Sequence, residues 1–224
     1  PFPEECGGAG LGEIGLAVAL EELARAHAST GLMVAASSGL VASLVQRFGS
    51  DDQQQRYLRA LVTGETIGAF CLTEPGGGSD VAALRTVARE AGDSFVLRGE
   101  KAYVTNGDRA GVFLTFVKTE PERGRDGISL FVVERGSPGL SVARLEDKMG
   151  LRGSNTVAVS LDDCVVPADR VLAGEGRGFV VAMTALDGGR IGIGAQALGI
   201  ARSAANAAAR VLNRRTNPSQ SAQM

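Results

Sequence analysis

Tryptophan is absent from this chain, histidine occurs once and cysteine three times. A structural zinc site needs clustered thiolate or imidazole ligands, so the single His27 and the lack of any Cys-x-x-Cys leave no metal centre to expect. Cys6, Cys71 and Cys164 are odd in number and far apart, which disfavours a disulfide framework and reads as reduced thiols acting as small buried hydrophobes. Neither sign of charge dominates: 23 Lys+Arg against 25 Asp+Glu leave a net charge of -2, without the basic stripe that nucleic acid requires. No uninterrupted apolar run of about 18 residues stands out. The opening Pro1-Phe2-Pro3-Glu4-Glu5 has no basic segment ahead of an apolar one, so neither a membrane-spanning helix nor a secretory leader is expected.

What remains is 44% hydrophobic and 21% charged, an ordinary globular composition. Its patterning changes character twice. Up to residue 66 the apolar positions recur at helical spacing (Leu16, Leu20, Leu23; Leu40, Leu44), and Ser50-Asp51-Asp52-Gln53 offers an N-cap for a helix carrying Tyr57, Leu58 and Leu61. From 67 to 172 short β-rich runs alternate with Gly, Pro and Asp: Ile67–Leu72, Ser94–Gly99, Ala102–Thr105, Val112–Val117, Ile128–Glu134, Leu140–Arg144 and Thr156–Leu161. Strands at this spacing with no helices between them predict an antiparallel barrel or sandwich and disfavour a Rossmann fold. From 173 to 224 the pattern is helical again, in two stretches, Phe179–Leu186 and Ile191–Leu212, with Gly188-Gly189 reading as a break or a point of close backbone approach. The expectation is an α+β chain of three parts: a helical N-terminal domain (1–66), a middle antiparallel β-barrel (67–172) and the start of a C-terminal helical bundle (173–224). One long helix cannot bury its apolar face alone, so the last part needs partners. The polar tail from Arg214 is expected to be disordered or displaced.

Glycine-rich stretches differ in worth. Gly7-Gly8-Ala9-Gly10 follows no strand and reads as a loop before a helix. The run Leu72-Thr73-Glu74-Pro75-Gly76-Gly77-Gly78-Ser79-Asp80 ends a strand, turns at Pro75 and offers backbone amides with the hydroxyls of Thr73 and Ser79. Such a loop can hold a polar cofactor or a pyrophosphate, although a plain turn is as good a reading on physical grounds alone.

This run resembles the signature of the acyl-CoA dehydrogenase family, and four further segments resemble that family in order and spacing. They are Pro3-Glu4-Glu5-Cys6-Gly7-Gly8; Phe48-Gly49 with Gln53–Leu58; Gly99-Glu100-Lys101-Ala102-Tyr103-Val104-Thr105-Asn106; and Lys148-Met149-Gly150-Leu151-Arg152-Gly153-Ser154-Asn155-Thr156, followed by Asp163-Cys164-Val165-Val166-Pro167. The resemblance covers residues 3 to about 213. It implies a flavoprotein oxidoreductase of fatty acid metabolism and β-oxidation, a homotetramer with FAD between the β domain and a neighbouring subunit's bundle. Residue by residue it implies that Phe70, Leu72, Thr73 and Ser79 lie along the flavin and that Tyr103, Val104 and Thr105 meet its ring. Ser79, Asp187 and Arg190 would meet the CoA arm, and Met33, Ala36 and Ser37, on the helix from Thr30 to Leu44, would floor the acyl cavity. Leu186-Asp187-Gly188-Gly189-Arg190-Ile191-Gly192-Ile193 is most similar to the short-chain, butyryl-type members. The implied reaction is α,β-dehydrogenation of an acyl-CoA to the trans-2-enoyl-CoA, with electrons passing to an electron-transfer flavoprotein.

The resemblance also marks a departure. Most members carry the catalytic glutamate late in the C-terminal bundle, past the point matched by residue 224, and a minority carry it just before the matched arginine, where this chain has Gly189. Of the Arg-x-x-Phe-Gly motif Arg215 matches, but Pro218 and Ser219 stand in place of Phe and Gly. Glu74 is read as serving the turn rather than proton transfer. The catalytic base is therefore not assigned. An oxygen-using oxidase relative, a non-catalytic subunit and a truncated member stay open beside the dehydrogenase, and a bacterial cytoplasm is favoured over a mitochondrial matrix.

Overall fold

Residues 1–216 are described by a computed structural model. The chain opens with α1 (Gly12–Ala26) and α2 (Ala28–Phe48). In the middle of α2, Ala35–Ala42 widens to a π-helical stretch, an arrangement common at functional sites. α3 (Asp51–Thr63) is started by the capping box that its sequence announces: Gln53 N–H donates to the Ser50 hydroxyl, and Ser50 N–H donates to the Gln53 side chain. Gly64, at φ 79°, stops it with the left-handed turn that glycine adopts without strain.

α2 departs from expectation. With a mean hydropathy of 1.6 it is long and apolar enough to span a membrane by length and composition. A search for unbroken apolar runs passes over it because Ser29, Thr30, Ser37, Ser38 and Ser43 punctuate it. In the fold, half of its most apolar stretch is buried, and Val41, Ala42, Leu44 and Val45 are core residues.

Eight strands follow: β1 (Gly68–Cys71), β2 (Val87–Ala91), β3 (Ser94–Thr105), β4 (Val112–Lys118), β5 (Ile128–Glu134), β6 (Leu140–Leu145), β7 (Thr156–Pro167) and β8 (Val171–Leu172). They form one sheet in the order β6-β7-β3-β2-β4-β5-β8, with β1 paired to β4 off this path. Most pairings are antiparallel, as the short connections require, while β1 runs parallel to β4 and β2 touches β4 in parallel at Val87↔Lys118. The sheet curls over its own core but does not close into a barrel.

Both faces of the central strands are covered, which is why they read as continuous apolar runs. Side chains of β4 and β5 alternate between two cores. Val112, Leu114, Phe116, Leu130 and Val132 face the helices, while Phe113, Val117, Phe131 and Val133 face the inside of the curl. Phe70 meets Phe116 edge-on at 5.1 Å, and Phe95 meets Phe131 at 5.0 Å. Cys71 and Cys164 lie buried, and burial pushes their thiols up to about 12 and about 11 respectively.

α4 (Gly178–Thr216) is one continuous helix of 39 residues, so Gly188-Gly189 is no break. The other half of that reading, close approach, is what the structure shows. A Cβ on Gly189 would stand 3.1 Å from Leu40 Cδ2, and one on Gly199 only 2.1 Å from the Glu21 carbonyl of α1. Glycine at these positions lets α4 lie against α1 and α2. Val181, Ala182 and Ala185 complete the helix-side core, whereas Ile191, Ile193, Leu198, Ile200 and Val211 are exposed. Arg215 falls at the end of this helix; Pro218, Ser219 and the rest of the tail lie outside the described residues.

Candidate functional site

β1 leads directly into the glycine-rich run. Leu72 is buried, and the turn after it closes on itself: Glu74 N–H donates to the Gly77 carbonyl at 3.0 Å and Gly77 N–H to the Glu74 carbonyl at 3.1 Å. Gly78 comes so near Thr73 that a Cβ there would sit 3.2 Å from its methyl group. Beyond it the Asp80 side chain accepts from Ala82 N–H, turning the chain away.

Beneath this turn lies a buried polar network. The Glu74 carboxylate accepts from Lys101 Nζ at 2.7 Å, from the Thr86 hydroxyl at 2.6 Å and from the Thr86 and Arg85 amides at 3.0 and 2.6 Å. Lys101 is fully buried and also donates to the Leu72 carbonyl. Burial alone would raise the Glu74 carboxyl, but the Lys101 ammonium and the three further donors outweigh it and hold it below the ordinary carboxylate range. Burial likewise draws Lys101 down while Glu74 pulls it back up. At 2.7 Å, with further donors on both carboxylate oxygens, the two side chains are held as an ion pair. Glu74 serves the turn.

β3 supplies the second element. Its register with β7 breaks between Lys101 and Val104, and Tyr103 adopts φ 56°, a left-handed conformation that costs a bulky residue energy. The irregularity turns Val104 into the core and leaves Tyr103 67% exposed. Ala102 N–H donates to the Thr73 carbonyl at 2.8 Å, joining the bulge to the glycine-rich turn. Asn106, just past β3, donates to the Met33 and Gly68 carbonyls, tying α2 to β1.

These elements form one wall of a cleft of about 1180 Å³, above the roughly 300–1,000 Å³ usual for one small ligand. Phe70, Leu72, Thr73, Tyr103 and Thr105 line that wall. The π-helical stretch of α2 contributes Ala35, Ala36, Gly39 and Leu40, and α4 contributes Asp187 through Ile193 on the opposite side. Arg190 forms an ion pair with Asp187 one turn back, both side chains exposed. Acidic side chains among the described cleft residues are those of Glu13 and Asp187.

Most residues singled out from sequence meet here, but four do not. Val104 is buried under the bulge; Ser79 is exposed on the loop and does not line the cleft. Met33 and Ser37 also fall outside the lining: the Met33 carbonyl accepts from Asn106, and the buried Ser37 hydroxyl accepts from Gly68 N–H at 3.0 Å. The cleft-facing residues of α2 include Leu32, Ala35, Ala36, Gly39, Leu40, Ser43, Leu44 and Arg47, a stripe at regular helical spacing that leaves Met33 and Ser37 just beside it. Leu16 and Leu20 of α1 also line the cleft, and the helical spacing they share, which marked them as one apolar stripe, did not show which side that stripe faces.

Residues 1–65, 69–164 and 176–222 match, in turn, the N-terminal, middle and C-terminal domains of acyl-CoA dehydrogenase. The chain is 45% identical over 208 residues to the short-chain specific acyl-CoA dehydrogenase of Clostridium acetobutylicum, covering 93% of this chain and 55% of that protein. A chain in the solved structure of the electron transferring flavoprotein of Acidaminococcus fermentans matches with a TM-score of 0.92 and 44% identity, over 93% of this chain and 55% of that one. An acyl-CoA dehydrogenase from Bacillus anthracis complexed with FAD matches with a TM-score of 0.82 and 36% identity, over 88% and 34%. The chain thus spans about half the length of the curated relatives it matches.

Proposed function

This chain belongs to the acyl-CoA dehydrogenase family, and on that premise we propose that the complete protein oxidises a short-chain acyl-CoA to its trans-2-enoyl-CoA, using FAD and passing electrons to an electron-transfer flavoprotein. The observation that carries the reading is the convergence of three separately conspicuous segments on one cleft: the start of the glycine-rich run at Leu72 and Thr73, the bulged end of β3 and the Asp187–Arg190 turn of α4.

The residues present suit a flavin. Tyr103 is held in a strained backbone with its ring out of the core, so a flat apolar ring can lie against it. Thr73 and Thr105 add hydroxyls to the same wall, able to donate to ring nitrogens and carbonyl oxygens, and Phe70 and Leu72 exclude water from behind. When bound, FAD supplies the hydride acceptor. The site roles of Phe70, Leu72, Thr73, Tyr103 and Thr105 are proposed on this basis; Val104 would act only by supporting the bulge, and Ser79 only through its exposed loop. Arg190 is proposed to anchor the CoA portion by charge-assisted hydrogen bonds, with Asp187 orienting it beforehand. Leu40, over Gly189, and Leu16 and Leu20 are apolar groups suited to an acyl chain.

A thioester α-proton is weakly acidic, so its base must be desolvated and the carbonyl polarised. Glu13 and Asp187 are both solvent-exposed, and Gly189 has no side chain. The base is therefore proposed to come from sequence beyond these 224 residues, as is the cover for the exposed apolar face of α4, in a homotetramer. Anaerobic mixing with butyryl-CoA tests this. A gene product carrying the remaining bundle should bleach its flavin, while the 224-residue chain should leave any bound flavin oxidised. Rapid bleaching by the short chain would refute the assignment of the base, and no bleaching by the long one would refute the activity.

A further inference from the structure

We propose that the buried Glu74–Lys101 pair is a positioning clamp, holding the glycine-rich turn and the bulged end of β3 together from below and so setting the relative placement of Thr73 and Tyr103 on the cleft wall. The proposal rests on reading that wall as a flavin site. Neither side chain lines the cleft, and Lys101 has no exposed surface, so the pair cannot act by contact with a ligand. It grips both elements that do. Lys101 Nζ bonds the Glu74 carboxylate at 2.7 Å and the Leu72 carbonyl at 3.4 Å, and the next residue, Ala102, bonds the Thr73 carbonyl at 2.8 Å.

The bulge explains why the anchor sits where it does. In a regular strand Lys101 and Tyr103 would share a face, being two residues apart. Here Lys101 is 0% exposed and Tyr103 67% exposed, because the register break and the positive φ turn the chain over between them. A strand that reverses its facing within two residues needs a fixed point on the core side, and Lys101 is the last such side chain before the break. On the other element, the Thr86 amide and hydroxyl donate to Glu74 Oε1 and the Arg85 amide to Oε2, so both carboxylate oxygens are tied to the 85–86 segment and its orientation is set. An apolar pair of similar volume would stabilise a core at least as well as a buried ion pair, but it would not dictate direction.

The test uses the complete protein carrying Glu74→Gln with Lys101→Met, a near-isosteric replacement. Its melting temperature, FAD dissociation constant and the visible circular dichroism of bound FAD are compared with wild type. Amide hydrogen exchange at Ala102 and Gly77 is followed in flavin-free protein. The clamp predicts a similar melting temperature, FAD binding weaker by about tenfold or more, an altered flavin dichroism and faster exchange at both amides. Wild-type affinity, dichroism and exchange in a folded double variant would overturn it. If wild type itself takes up no FAD, the flavin reading fails, and the exchange rates alone decide the clamp. Should the double variant not fold, Glu74→Asp keeps the charge but withdraws it by one methylene. Weakened FAD binding or faster exchange in that variant supports the clamp, and neither overturns it.

Discussion

The two walls of the cleft are built by opposite means. The sheet wall stands on a buried network that pairs a carboxylate with an ammonium, and on a strained bulge that only its surroundings can maintain. The helix wall is a surface: α4 meets α1 through glycines and through ion pairs of Arg202 with Glu21 and Glu22, and its Arg190 pairs with Asp187 in solvent. Preformed geometry lies on the side proposed to hold the cofactor, and adaptable geometry on the side proposed to admit substrate and to receive further chain.

If this contrast is right, mutations should separate the walls by the size of their effects. The largest is expected for Lys101→Ala, which leaves a buried carboxylate without its cation and should cost about 3–5 kcal/mol. Denaturant unfolding of the chain would show it, and a loss under about 1 kcal/mol would mean that the network is not structural.

Acid should act on the same wall. The folded chain holds Glu74 below its ordinary value of 4.5, so the unfolded state binds this proton more readily. The stability it contributes is fully present above that value and is lost as pH falls through the lowered one. Unfolding midpoints of wild type and Glu74→Gln should accordingly differ most above 4.5 and converge in stronger acid. Divergence as the pH falls would contradict the ionised pair.

On the helix wall, Arg190→Ala should change stability by less than about 1 kcal/mol, because its ion pair is exposed. In the complete protein it should raise KM for acyl-CoA substrates of every chain length by a similar factor. A loss confined to one chain length would move Arg190 into the acyl pocket. The smallest effect is expected for Arg202→Ala, whose solvent-screened ion pairs with Glu21 and Glu22 should leave the midpoint in the same unfolding assay nearly unchanged.

The same contrast governs what could be read from sequence. Ile128–Glu134 was readable to its ends because both faces of that strand are buried and every residue in the run is apolar or small up to the terminal glutamate. Val87–Ala91 was not, since Val-Ala-Arg-Glu-Ala carries no strand pattern and is a strand only because β3 pairs with it through a tight turn at Gly92. β8 is two residues long and too short for any pattern. Tyr103 and Thr105 could be named from the motif they sit in, but the bulge that turns Val104 inward depends on pairing with β7, which spacing cannot show. Met33 and Ser37 sit beside the cleft-facing stripe of α2, where bonds to Asn106 and to Gly68 N–H, both far off in the sequence, hold them, and spacing within the helix cannot show such partners. The Glu74–Lys101 pair joins residues 27 apart, each in its own motif, and nothing in either motif announces the other.

The most direct test of the central claim is a titration of the complete protein with FAD, following the flavin absorbance band in wild type and in Thr105→Val. The account predicts saturable uptake by wild type and weaker uptake by the variant, since the Thr105 hydroxyl lies on the wall proposed to meet the ring. A complete protein that purifies colourless and takes up no added FAD would contradict it.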